Sequence, residues 1–154
     1  MPVIQIPIVE VQMMIRKSAS QVFQAFIDPA ITTNFWFTKS SGPLEVGKHL
    51  RWEWEMYGVS CNVFVKEILE DRQIITEWGD PATHVEYLFT ALTDNTTYVV
   101  IKNYGFSQTG DELIQAIKDN TGGFTTVLDG LKAYLEHNIK LNLIADKYPQ
   151  ENKR

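Results

Sequence analysis

The sequence predicts an α+β domain in which an antiparallel sheet of about six strands is crossed by one long C-terminal helix. Two observations carry this. Across residues 48–106, apolar and polar positions alternate in five successive runs separated by short turn-formers. From Phe124 onward, apolar residues recur every three and four positions, which is the period of a single helical stripe. A third signal lies upstream of both: one alternating run followed by two closely spaced helix starts.

The first run spans residues 8–16, with Val9, Val11, Met13 and Ile15 on one face and Glu10, Gln12 and Arg16 on the other. Ser18 and Gln21 then stand in capping-box spacing ahead of Val22, Phe23, Phe26 and Ile27 at helical intervals. Asp28-Pro29 ends that helix and suits the start of another, Asp as N-cap and Pro at the first helical position. Gly42-Pro43 and Gly47 mark a loop. The strand-like runs follow at 49–57, 59–69, 73–78, 84–92 and 97–106. The breaks between them are Tyr57-Gly58, Glu70-Asp71-Arg72, Gly79-Asp80-Pro81 and Thr93-Asp94-Asn95, all short enough for an antiparallel meander. In the last third, Leu113, Ile114 and Ile117 form a first helical patch, and Thr121-Gly122-Gly123 weakens the helix. The stripe of Phe124, Val127, Leu128, Leu131, Leu135, Asn138 and Ile139 then predicts a helix over 124–143, about 30 Å long and able to cross a sheet. It is expected to face Leu50, Trp52, Trp54 and Met56. Residues 150–154 read as a polar tail, and the chain 1–154 reads as a single domain.

Composition narrows the function classes. Hydrophobic residues make up 44% and charged residues 21%, an ordinary globular balance that excludes a disordered chain. The formal net charge of -5 argues against a nucleic-acid duplex as the main partner. Cys61 is the sole cysteine, so no internal disulfide is expected, which fits a reducing, cytoplasmic setting. Residues 1–10 carry neither a basic start nor a long apolar run, so no signal peptide is expected. No stretch approaches the roughly 18 apolar residues of a membrane span.

Several short segments resemble one family. Val22-Phe23-Gln24-Ala25-Phe26 with Asp28-Pro29 and Trp36 resembles a VF-x-AF-x-DP…W opening. Glu45-Val46-Gly47-Lys48 resembles the vGG entry to a second strand, with Lys48 replacing a glycine, and Glu77-Trp78 resembles a TW strand ending. Thr97-x-Val99-x-Ile101 with Gly105-Phe106 resembles a T-x-L-x-L…GF strand. Gly123-Phe124 with Leu128, Leu131 and Leu135 resembles a GW-led helix, with Phe in place of Trp. Together, over residues 8–136, these are similar to the activator of heat-shock protein 90 ATPase homologue-like family of the START-like (SRPBCC, helix-grip) superfamily. The resemblance implies a curved sheet closed around an apolar cavity by the last helix. Its name also implies a chaperone as a candidate partner and a stress-response setting. Some START-like proteins are cyclases or hydrolases, which keeps an enzyme among the alternatives.

The residues themselves offer little assembled chemistry. There is no Gly-rich phosphate loop, no G-x-S-x-G and no H-E-x-x-H. His49, His84 and His137 are far apart, and His84 with Glu86 supplies only two of the ligands a metal needs. No metal and no cofactor are expected, and the reading favours a binding domain over an enzyme. Among the acidic strand residues, Glu53, Glu55 and Glu77 alternate away from the tryptophan faces. Glu67 shares the face of Val63 and Val65, where it either reaches solvent at the strand end or points inward as a candidate acid or base. Cys61, on that same face, reads as an inert core thiol. Asn95-Thr96-Thr97 matches a glycosylation sequon, an accidental match without a secretory signal.

The aromatic set carries the functional signal: four Trp, six Tyr and eight Phe. Trp52 and Trp54 share a strand face, and the fold would bring Trp36, Trp78, Tyr87, Phe89 and Phe124 beside them, with Leu128 on the helix above. These rings either fill the space between sheet and helix or line a pocket of a few hundred Å³. Gly122, Gly123 and Gly130 occupy little volume, which favours a pocket. Asn103 and Asn138 are amides on apolar stripes, and each needs a polar partner if buried. The leading reading is therefore a small apolar ligand between sheet and helix. The alternatives are a chaperone-binding module and a cyclase- or hydrolase-like enzyme in the same cavity.

Overall fold

The computed structural model describes residues 6–149. A first strand, β1 (Val9–Ile15), leads into α1 (Ala19–Ile27) and α2 (Pro29–Thr32). Ser18 and Gln21 form the predicted reciprocal cap: the Gln21 N–H donates to Ser18 Oγ at 3.2 Å and the Ser18 N–H to Gln21 Oε1 at 3.4 Å. Asp28 makes the corner between the helices, accepting from the Ala30 N–H at 2.9 Å while Pro29 opens the second helix. Then follow β2 (Lys39–Ser40), β3 (His49–Trp54), β4 (Val59–Leu69), β5 (Gln73–Gly79), β6 (Ala82–Thr93) and β7 (Thr96–Tyr104). All pair antiparallel in the order β1-β7-β6-β5-β4-β3-β2, so the first strand returns beside the last.

The sheet has seven strands, where the sequence predicts about six. The additional one is β2, whose two residues pair with Glu53 and Trp52 and are too few to show a period. The run at 49–57 also ends early. After Trp54 the chain turns through a single 3₁₀ turn, Glu55–Tyr57, so Met56 leaves the strand face. In β4 a register shift between Val65 and Glu67 resets the alternation. Ile68 packs against the core and Glu67 faces solvent, which removes it as an inward acid.

The long helix differs most from expectation. α3 runs unbroken from Gly110 to His137, 28 residues, or about 42 Å. The Gly122-Gly123 pair does not interrupt it, because tertiary packing on either side outweighs a propensity loss of about 1 kcal/mol per glycine. The helix stops at Asn138, not near 143. Asn138 takes a left-handed conformation (φ 53°) and its N–H closes on the Tyr134 carbonyl at 2.8 Å. It is an exposed helix cap and not a buried amide on the apolar stripe. A short α4 (Leu143–Lys147) then doubles back along the molecule.

The buried residues of α3 are Phe124, Val127, Leu128, Gly130 and Leu131, all in its second half. This half packs principally on β1. It does not lie directly on Trp52, since Trp36 intervenes, with ring centroids 4.9 Å from Trp52 and 6.0 Å from Phe124. Gly130 marks a close crossing: a Cβ there would sit 3.2 Å from Phe35 Cβ and 3.3 Å from the Phe35 carbonyl. The space a Cβ would take there is filled by Phe35, and Gly130 borders only a small separate cavity of about 180 Å³. At the end of β1, Lys132 Nζ donates to the Met14 carbonyl at 2.9 Å and to Glu136 Oε2 at 2.6 Å, and that same oxygen accepts the Arg16 N–H at 2.8 Å. Burial alone would push the Glu136 carboxyl up, but the Lys132 ammonium and the Arg16 N–H bring it below its ordinary 4.5.

Two outcomes are expected. Leu131 is fully buried, so Leu131→Asp should lower unfolding free energy by roughly 4 kcal/mol or more in urea titration. An unchanged midpoint would reject this packing. Because Glu136 is held below 4.5 in the folded chain, its contribution is complete above that pH and is lost as pH falls through the lowered value. The stability difference between wild type and Glu136→Gln should therefore shrink below pH 4.5 and stay flat above about pH 6.

Candidate functional site

Between the middle of α3, around residues 119–127, and the β4–β6 end of the sheet the layers do not close. A cleft of about 880 Å³ remains, within the size range of small-molecule sites. Trp36 and Phe124 are almost completely buried and form its floor together with the half-buried Trp78. The three rings meet at 5.4 to 6.0 Å, the spacing of edge and tilted aromatic contacts. Val59, Ser60 and Cys61 of β4 make one wall, and Thr83 and Phe106 the opposite one. Along α3, Asp119, Asn120, Gly123 and Val127 form the third side. Ile144, Lys147 and Tyr148, on and beside α4, stand across the mouth near Tyr57.

Four of the residues singled out from the sequence, Trp36, Trp54, Trp78 and Phe124, are brought together at this cleft. The other five lie outside its lining. Trp52 is one layer deeper, stacked on Phe37 with centroids 4.4 Å apart. Tyr87, Phe89 and Leu128 belong to the core, where Tyr87 and Phe89 both pack against Phe26. Asn103 is fully buried; its Nδ2 donates to Thr83 Oγ1 at 3.0 Å and to the His84 carbonyl at 2.9 Å. It reaches the cleft only through Thr83. Alternation cannot separate these two groups, because a ring on the inner face is equally apolar whether another ring or open space lies above it.

A buried polar layer lies on the inner face beneath the cleft. Thr76 Oγ1, the Tyr87 hydroxyl and Asn103 Oδ1 have no hydrogen-bond partner among the described residues. Burial pushes the Tyr87 phenol far above its ordinary range, with the nearby Thr76 hydroxyl pulling it partly back. Cys61 is half-buried in the cleft wall and not in the core; burial raises its thiol above 9.0, against a smaller lowering from the Gly79 backbone. It is a neutral thiol at neutral pH, and among the described residues no nucleophile hydrogen-bonded to a base is present in the lining.

The acidic strand residues do not enter the cleft. Glu53 lies beside Lys39 at 3.9 Å, and Glu77 beside His84 at 3.5 Å. Glu86 accepts from the Tyr104 hydroxyl, which pushes that phenol up to about 12, with smaller contributions from burial and the carboxylate charge. Asp119, on a helix with no strand signal, is the one carboxylate in the lining among the described residues. Among those residues no three His, Cys, Asp or Glu side chains are placed to share a metal ion, and no helix is long and apolar enough to cross a membrane. The sequence reading missed Tyr57 and Phe106, which it placed at the ends of strand-like runs but which lie just beyond β3 and β7, and Lys147 and Tyr148, on and beside the short α4 where no period exists to be read.

The fold and its grip of the sheet by one long helix define a START-like domain. Its likeness to a START superfamily protein of Mycobacterium smegmatis (TM-score 0.62, 14% identity, covering 83% of this chain and 98% of that one) is one of fold. The chain belongs to the activator of Hsp90 ATPase homolog 1-like protein family, whose model matches residues 16–136. The structure is also similar to that of a protein from Staphylococcus saprophyticus (TM-score 0.77, 27% identity, 88% of this chain and 96% of that one). It is similar as well to the Aha1 dimer from Colwellia psychrerythraea (TM-score 0.72, 15% identity, 85% and 97%). Comparison with curated protein sequences gives no match.

The two helical glycines separate cleanly. A Cβ on Gly123 would meet nothing within 4 Å, whereas one on Gly122 would lie 3.1 Å from Lys147 Nζ. Gly123→Ala should therefore stabilise the fold by about 0.5–1 kcal/mol in urea titration. Gly122→Ala should yield less, because Lys147 must move. Destabilisation by Gly123→Ala would mean that the space beside it is not open.

Proposed function

We propose that the chain binds a small, mainly apolar molecule in the cleft between the sheet and α3. One observation carries the reading. Gly123 sits mid-helix, at a propensity loss of about 1 kcal/mol, and faces open space in an aromatic-lined cleft where no packing contact requires its small size. Cleft size and lining support it: rings supply apolar area, while Thr83, Cys61 and Gln108 supply a few polar atoms for orientation. Family membership supports it through the helix-grip architecture. A catalytic reading has less behind it, since among the described residues the lining holds no assembled acid–base or nucleophile–base pair.

The test is a titration with apolar aromatic probes, read by tryptophan fluorescence and thermal shift. Trp36, Trp54 and Trp78 border the cleft, so binding should quench or shift their emission and raise the melting temperature. Gly123→Leu should fill the cleft and weaken binding at least about tenfold, equivalent to about 1.4 kcal/mol, without lowering the melting temperature. Probe affinity unchanged by Gly123→Leu would reject the cleft as the site.

Family membership also supports a second reading, contact with a chaperone through the surface and not the cleft. A pull-down with purified Hsp90 at low salt should then capture wild type and Gly123→Leu equally. Loss of capture in Gly123→Leu, or none in either, would reject it.

A further inference from the structure

We propose that the ligand of this cleft carries an anionic group at one end of its aromatic or polycyclic body, and that Lys147 receives that group. This rests on the binding reading above and adds the polarity of the molecule bound. α4 is tied across the mouth by Tyr57: its hydroxyl donates to the Ile144 carbonyl, with the Ala145 carbonyl 3.2 Å away, and accepts the Tyr148 N–H at 3.3 Å. The tie directs Lys147 back over α3. There its Nζ donates to Thr126 Oγ1 at 3.2 Å, in the space left by the missing Cβ of Gly122.

An ammonium has three protons to donate, and Thr126 Oγ1 is the one hydrogen-bond acceptor found for this one among the described residues. It enters no ion pair among the described residues, and Lys147 is the one lysine in the cleft lining. Asp119 is the other charged residue in the lining, and its Oδ1 accepts from Gln115 Nε2 at 2.8 Å along the helix. A molecule lying on Trp36, Trp78 and Phe124 with an anion at the mouth would bring the exposed Lys147 ammonium a charged acceptor, and charge-assisted hydrogen bonds are stronger than the neutral one it makes to Thr126. A wholly apolar molecule would leave the ammonium unused.

Two fluorescent probes with one aromatic body separate the possibilities: anilinonaphthalene sulfonate, which is anionic, and phenylnaphthylamine, which is neutral. Lys147→Gln should weaken the sulfonate about tenfold, leave the neutral probe within about twofold, and abolish the salt dependence of the sulfonate. Lys147→Arg should retain sulfonate binding, and Gly123→Leu should weaken both probes. Equal effects of Lys147→Gln on both probes, or none on the sulfonate, would overturn the assignment while leaving cleft binding intact. Tighter binding of naphthylmethylamine than of the sulfonate, lost in Asp119→Asn, would reverse the polarity. Failure of both probes to bind wild type would overturn the binding reading and this inference with it.

Discussion

The docking of α3 against β1 is the contact on which the rest of the structure depends. Leu128 and Leu131 bury the apolar stripe there, and Lys132 with Glu136 secures the helix to the backbone at Met14 and Arg16. The Glu136 side chain is only 8% exposed, and a carboxylate there would be costly without the Lys132 ammonium and the Arg16 N–H. With one end held, a straight helix can follow a twisted sheet for only part of its length. Around residues 119–127, near its middle, the helix and the strands do not close, and the cleft is the space between them.

Two tiers of rings meet that space differently. The lower tier, including Trp52, Tyr87, Phe26 and Phe89, is packed ring against ring and acts as core. The upper tier, Trp36, Trp78 and Phe124, is packed below and open above. Trp36 joins them, touching Phe26, Trp52 and Tyr87 beneath it and Trp78 and Phe124 beside it. The cleft floor is consequently packed directly on the core. The unpartnered hydroxyls of Thr76 and Tyr87 lie in this region and give the interior a local polarity that its composition does not suggest.

The mouth follows another rule. α4 is five residues long, too short to be stable by itself. It holds its place through the Tyr57 hydroxyl, the Tyr57–Tyr148 ring contact and the Lys147–Thr126 hydrogen bond. Few buried apolar contacts anchor it, so it belongs to the part of a fold that opens at low free energy. A floor packed on the core and a lightly held strap thus border the same cleft, and neither takes part in the β1 clamp.

Local chemistry alone determined much of this protein. Alternation located six of the seven strands, Ser18–Gln21 and Asp28-Pro29 placed both short helices, and the apolar stripe identified the long one. These signals are readable because each depends on neighbours within a few residues. Four cleft residues were also legible, as large rings on inner faces. Tertiary structure alone decided which rings border open space, because burial beneath a helix depends on where that helix leaves the sheet. It also decided that Gly130 is filled by Phe35 while Gly123 is not, that Glu67 turns outward past a bulge, and that Asn138 ends the helix. The glycine and Glu67 outcomes are set by contacts between separate elements, and the Asn138 cap by a single left-handed backbone angle; no local period encodes any of them.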